Sequence, residues 1–311
     1  MQFLRWMTTF ALVTALAALV ASGRAAQDGK KPKPGDPKGD PKSDPKAGSK
    51  ADAKLDYELS DEVKDVPALD LRALGNEHQR YFLIGAENDG KVVKKSGKAP
   101  KEGFALLVVM PGGPGDQKFT SFVRSIWKSC APEGWLFAEM VSVKWKPEQQ
   151  VIWPTRLSRV PGMEFTTEEY FAAVVEDVQK TQKLKLDPKR LFELGWSSSG
   201  PAEYAIALQE KSPIAGAYVA MSVFGLDELR PGLKYAKGLP FFLDHSPDDT
   251  TCKFSFAELA RDTLAKEGAT VELVTYKGGH GWNDDPFARL KKGFAWLDEQ
   301  AAKNGKSGKP K

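Results

Sequence analysis

Hydrophobic positions in the central part of the chain fall into short unbroken runs, separated by longer stretches with helical periodicity. Phe104–Met110 (FALLVVM) is apolar throughout, the pattern of a strand buried on both faces of a parallel sheet. Leu136–Val143, Leu191–Leu194, Ala215–Ala220, Pro240–Leu243 and Val271–Tyr276 predict further strands, and Tyr81–Ile84 an outer one before them. Phe119, Phe122, Val123, Ile126, Trp127 and Cys130 recur at the spacing of one apolar helix face. Thr166 and Glu169 form a capping box ahead of Tyr170, Phe171, Val174, Val175 and Val178. Helices over Ala202–Gln209, Phe254–Lys266 and Pro286–Gln300 complete the set. Strands alternating with helices predict an α/β fold, a mostly parallel, doubly wound sheet with helices on both faces. The span from Ala220 to Pro240 is too short to hold a large lid domain.

The two ends follow no such pattern. Arg5 precedes an uncharged stretch, Trp6–Gly23, with an apolar heart over Phe10–Val20 and small residues after it. Residues 1–25 therefore read as a signal peptide and the protein as exported, periplasmic, cell-surface or secreted, with an uncleaved anchor as the alternative. Residues 26–55 carry Lys, Pro, Gly and Asp, including three Asp-Pro-Lys units, and have too little apolar surface to offset the entropy of ordering. They read as a disordered linker, as does the tail 303–311, leaving 56–302 as the catalytic domain. A loose cell-surface association through the basic linker is one consequence of its charge.

Charge and cysteine usage narrow the function classes. The formal net charge is +4, but the excess basic residues sit in the two ends and the body between them is mildly acidic. Nucleic-acid binding by the domain has no electrostatic support. Two cysteines, Cys130 and Cys252, make no disulfide framework. No Cys/His cluster with metal spacing, no phosphate-binding loop and no dinucleotide fingerprint occurs, so no metal and no cofactor is expected.

The candidate chemistry lies in four short segments. In LFELGWSSSG (Leu191–Gly200) a strand runs into a tight turn and then a helix, the context of a nucleophile elbow around Ser197, with small residues Gly195 and Ser199 on either side. A serine nucleophile needs a neighbouring imidazole. Of the three histidines, His280 in YKGGHGW follows a strand and precedes the last helix. His78 lies ahead of the core, and His245 reads as a buried packing histidine or as part of a pocket floor. The acid is expected after a strand between serine and histidine, where HSPDD offers Asp249, with Asp248 as the alternative. Pro111-Gly112-Gly113-Pro114-Gly115 follows the FALLVVM strand. Its glycines can bring N–H donors to an oxyanion, which proline cannot. Gly112 or Gly113 would act with the N–H of Ser198.

Together, PGGPG, GWSSSG, HSPDD and GGHGW occur in an order that resembles the α/β-hydrolase superfamily over about Arg80–Gln300. The likeness is to its single-domain esterases such as carboxylesterases, feruloyl esterases and polyhydroxybutyrate depolymerases. PGGPG is also similar to the HGGPG of proline iminopeptidases. Pro111 replaces the family's usual histidine and Ser199 its usual glycine. The resemblance implies an α/β-hydrolase fold and hydrolysis of a carboxylic ester, small or polymer-borne, through an acyl-enzyme. It implies a triad of Ser197, His280 and Asp249. Trp196, Trp153 and Arg156 are expected as substrate contacts. A prolyl-oligopeptidase-like serine peptidase and a non-catalytic exported binding protein on the same scaffold are the competing readings.

Overall fold

In the computed structural model the structure describes residues 56–306. The expected signal peptide and linker, residues 1–55, and the tail beyond 306 lie outside the described residues. The chain divides into two units, Met1–Lys54 and Leu55–Lys311, and the second carries every element below.

Eight strands form one sheet: β1 (Ala68–Arg72), β2 (Arg80–Ile84), β3 (Phe104–Met110), β4 (Trp135–Met140), β5 (Leu186–Trp196), β6 (Gly216–Ala220), β7 (Pro240–His245) and β8 (Thr270–Thr275). Their order is β1-β2-β4-β3-β5-β6-β7-β8. β1 pairs with β2, and β2 with β4, antiparallel; every other pairing is parallel. All seven residues of β3 are buried, and they alternate between two cores. Leu106, Val108 and Met110 face one, Ala105, Leu107 and Val109 the other. Helices α2 (Thr167–Lys180), α3 (Gly200–Ala207) and α5 (Ser255–Lys266) supply Val174, Ala202 and Ala260 to the first core. Helices α1 (Thr120–Cys130) and α6 (Pro286–Lys306) supply Val123 and Leu290 to the second. The remaining helix, α4 (Leu226–Leu229), is one turn in the Ala220–Pro240 span, where no lid stands.

The capping box of Thr166 and Glu169 is formed in both directions, and both cysteines are free and buried. Three differences from the sequence expectation stand out. β5 begins at Leu186, because Phe104 pairs with Leu186 across a register shift that the charged Asp187–Arg190 stretch conceals. β1 was not expected, being half-buried with Asp70 and Arg72 in it. It exists as a partner for β2, with Asp70 and Asp56 both gripping Arg80. α6 runs to Lys306, past the expected domain end at 302: Ala301 is buried and Asn304 Nδ2 donates to the Gly238 carbonyl (3.0 Å). No helix among the described residues is long and apolar enough to cross a membrane.

Strand order reverses between β3 and β5, since β3 leads outward to β4 while β5 leads to β6 on its other side. Loops leaving the carboxyl ends of these neighbours diverge, and ligand crevices in open α/β sheets form at such a point. The PGGPG loop leaves β3 there and Ser197 follows β5.

Candidate active site

Ser197 takes a left-handed conformation, φ 57°, which costs a non-glycine residue of order 1–3 kcal/mol unless its surroundings enforce it. They do. Ser222 Oγ donates to the Ser197 carbonyl (2.5 Å), while Ser199 Oγ accepts from the Trp196 N–H (2.8 Å) and donates to the Trp196 carbonyl (3.1 Å). A Cβ on Gly195 would lie 2.4 Å from Ser199 Oγ and 2.5 Å from Glu203 Oε1, so the turn closes only with glycine there. Serine in place of the usual glycine at 199 thus serves as an internal clamp.

Three distant side chains converge beyond this turn. His280 Nε2 lies 3.0 Å from Ser197 Oγ, and His280 Nδ1 lies 2.8 Å from Asp249 Oδ2. A carboxylate can only accept, so Nδ1 carries the hydrogen and Nε2 offers its lone pair to the hydroxyl. The carboxylate beside His280 belongs to Asp249, whose side chain is fully buried; Asp248 is exposed. Asp249 Oδ1 accepts the Thr251 and Cys252 N–H groups, each at 2.8 Å. Burial alone would raise this carboxyl, but donors from His245, His280 and the Cys252 backbone outweigh it and hold it below the usual aspartate range. The acid turn and the histidine loop are tied together, because Ser246 Oγ accepts from both the Asp248 and the Gly279 N–H. The His280 side chain remains 25% exposed, so the site opens to solvent.

The PGGPG loop lies directly on the elbow. A Cβ on Gly112 would stand 2.5 Å from the Trp196 carbonyl oxygen, and Ser198 Oγ donates to the Gly113 carbonyl (2.8 Å). Gly113 has φ 58°. Among the described residues the N–H groups of Gly112 and Gly113 meet no hydrogen-bond acceptor in the protein. The expected hole components, Gly112, Gly113 and Ser198, are thus side by side at Ser197.

The three expected substrate contacts are placed differently. Trp196 is 5% exposed, packed edge-on against Phe119, Phe122 and Trp282 behind the elbow. Trp153 is 3% exposed and donates Nε1–H to the Pro111 carbonyl (3.0 Å), holding the PGGPG loop. Arg156 binds Glu168 and, through Nη2, Gln209 at the far end of α3 from Ser197. Trp153 thus holds backbone and Trp196 packs among rings, while Arg156 stays exposed but is paired with side chains outside the cluster. Ser142 assists Trp153, donating Oγ–H to the Pro114 carbonyl (2.6 Å). Ser222, Ser246 and Ser142 gave no sequence signal, since a lone serine after a strand is indistinguishable from a solvated one. His78 is exposed beside Glu164 and Trp145, away from this cluster.

No protein-family model and no curated protein matches the chain. Among solved structures it is similar to a propionate-bound thermophilic esterase of the planctomycete Thermogutta terrifontis, with TM-score 0.53 and 16% identity over 78% of this chain and 96% of that one. It is similar to a carboxylesterase from Mesorhizobium loti, with TM-score 0.52 and 18% identity over 75% and 99% of the two chains. An acylaminoacyl peptidase in complex with a Z-Gly-Gly-Phe chloromethyl ketone gives TM-score 0.50 and 16% identity over 75% of this chain and 40% of that one. Likeness at these identities is one of fold.

Proposed function

We propose that the chain, which has the α/β-hydrolase fold, is a serine hydrolase that cleaves carboxylic esters through an acyl-enzyme. One observation carries the reading: Ser197 Oγ, His280 Nε2, His280 Nδ1 and Asp249 Oδ2 form a continuous relay with steps of 3.0 and 2.8 Å. Serine, imidazole and buried carboxylate in that order are what activation of a hydroxyl near neutral pH requires.

Ser197 Oγ forms a bond to the substrate carbonyl carbon as its proton passes to His280 Nε2, and the carbonyl electron pair moves onto oxygen. Asp249 keeps Nδ1–H in place and stabilises the imidazolium. The N–H groups of Ser198 and of Gly113 or Gly112 receive the oxyanion; one such donor typically contributes about 10²–10³ in kcat. Collapse breaks the bond to the alcohol, which leaves with the proton from Nε2. Water, activated by the same imidazole, then releases the acid and restores Ser197. The exposed His280 edge favours an unenclosed ester, a small molecule or a polymer side group. The reading of residues 1–25 as a signal peptide supports an exported enzyme acting outside the cytoplasm.

A fluorophosphonate probe tests the mechanism. The expected result is labelling of the native protein and none of Ser197→Ala; an unlabelled native protein, or a labelled alanine variant, overturns it. Aryl esters against acylaminoacyl anilides separate ester from amide specificity, with faster turnover of the esters expected.

A further inference from the structure

Asp249 touches a second imidazole. His245, the last residue of β7, has its side chain 3% exposed, and its Nε2 lies 3.2 Å from Asp249 Oδ2 and 2.7 Å from the Cys252 carbonyl oxygen. A carbonyl can only accept, so Nε2 carries a hydrogen, and that N–H is shared between the carbonyl and the carboxylate. The oxygen it reaches is the one that holds His280.

We propose that His245 is a positioning residue of the active site, holding Asp249 Oδ2 in place for His280 and limiting how strongly that oxygen binds the His280 proton. This rests on the triad reading above. Oδ1 is fixed by two backbone N–H groups; without His245 the other oxygen would have His280 as its sole partner. Two donors on one carboxylate oxygen share its charge, so each lowers its pull on the other's hydrogen. Ring packing alone would not place Nε2 at both oxygens.

The surroundings leave few other groups to titrate here. Asp249 faces His245 and connects it to His280. Cys252 contributes its carbonyl, and burial together with Asp249 pushes its thiol up to about 12. Asp244, the preceding residue, binds Tyr218 and Arg289. Across the ladder stands Thr275, and Phe254 meets the ring edge-on at 5.9 Å.

The test compares pH–rate profiles of the full chain, its His245→Phe variant and its His245→Gln variant on 4-nitrophenyl acetate. Phe keeps the ring's bulk without a donor, and Gln returns an N–H at the reach of Nε2. With Phe, kcat is expected to fall about 10–100-fold, as for other partners one step removed from a reacting group. KM should stay within about twofold. The acid limb should move to higher pH, because an oxygen relieved of one donor keeps His280 protonated longer. Gln should recover most of kcat and return the limb. A Phe profile that only scales down, or a Gln variant no better than Phe, overturns the proposal. Should the Phe variant fail to fold, nitrogen NMR of the unsubstituted protein decides, since its three histidines give few signals. Hydrogen on His245 Nε2 supports the assignment and a bare Nε2 overturns it. If the native protein neither turns over ester nor reacts with fluorophosphonate, the triad reading fails and takes this one with it. Labelling with an unmoved limb removes His245 alone.

Discussion

Asp249 and the pair Glu193 and Glu203 are all cut off from solvent, yet they are held in opposite states. Asp249 is surrounded by donors on both oxygens and held below the ordinary range. Glu193 on β5 and Glu203 on α3 are 0% exposed, and neither carboxyl has a hydrogen-bond partner among the described residues. Burial pushes both well above the usual glutamate range, and Glu193 pushes Glu203 further. The glutamates also lie deeper, so burial and the lack of donors together keep them neutral, while donors keep Asp249 charged. The two settings lie either side of one turn, since Glu203 packs against Gly195 just behind Ser197.

The largest test of the contrast is Asp249→Asn, which keeps the shape and removes the anion. By the Ser-His-Asp template, kcat on an aryl ester should fall by about 10⁴, while Glu193→Gln should leave kcat within about twofold. Comparable losses in both would erase the distinction. Next in size is Gly195→Ala, whose methyl would enter the space of Ser199 Oγ and Glu203 Oε1. Overpacking of this kind costs about 1–3 kcal/mol, to be read from denaturant midpoints. The smallest effect is the most specific. A carboxyl whose pKa is raised by folding keeps its proton after the unfolded chain has released it, so the folded state loses ground as pH climbs above the ordinary glutamate range. Glu203→Gln has no proton to lose there. It should melt a few degrees above the parent at pH 9, and the gap should close toward pH 4. A gap independent of pH would mean that the carboxyl is not protonated in the fold.

The sheet interior was legible because runs such as Phe104–Met110 have one reading at that length, and the Thr166–Glu169 box announces its helix chemically. What escaped was marginal or cooperative. β1 alternates weakly and is stabilised by β2, and the start of β5 is hidden because Asp187–Arg190 bulge out of the ladder with β3 and are partly exposed. In the candidate site, residue types with strict local requirements could be picked out, and the structure brings them together: the serine at a sharp turn, the histidine among glycines, the carboxylate after a strand. The bonds around them were not. Ser222, Ser246 and His245 make their hydrogen bonds only in the folded chain, and of the tryptophans expected to touch substrate Trp153 holds the PGGPG backbone while Trp196 packs among aromatic rings. Choosing between Asp248 and Asp249 likewise needed the turn itself, in which one side chain goes inward and its neighbour outward.

The segment between β4 and α2, residues 141–166, supplies no reacting group, yet Ser142 and Trp153 fasten it to the PGGPG loop at two carbonyls. Fastened at two points, the segment ties the backbone of the PGGPG loop to the rest of the fold through residues that carry no chemistry themselves. Loosening either fastener would let that loop drift from Ser197 without touching Ser197, His280 or Asp249. Any redesign around the candidate site should therefore leave both in place.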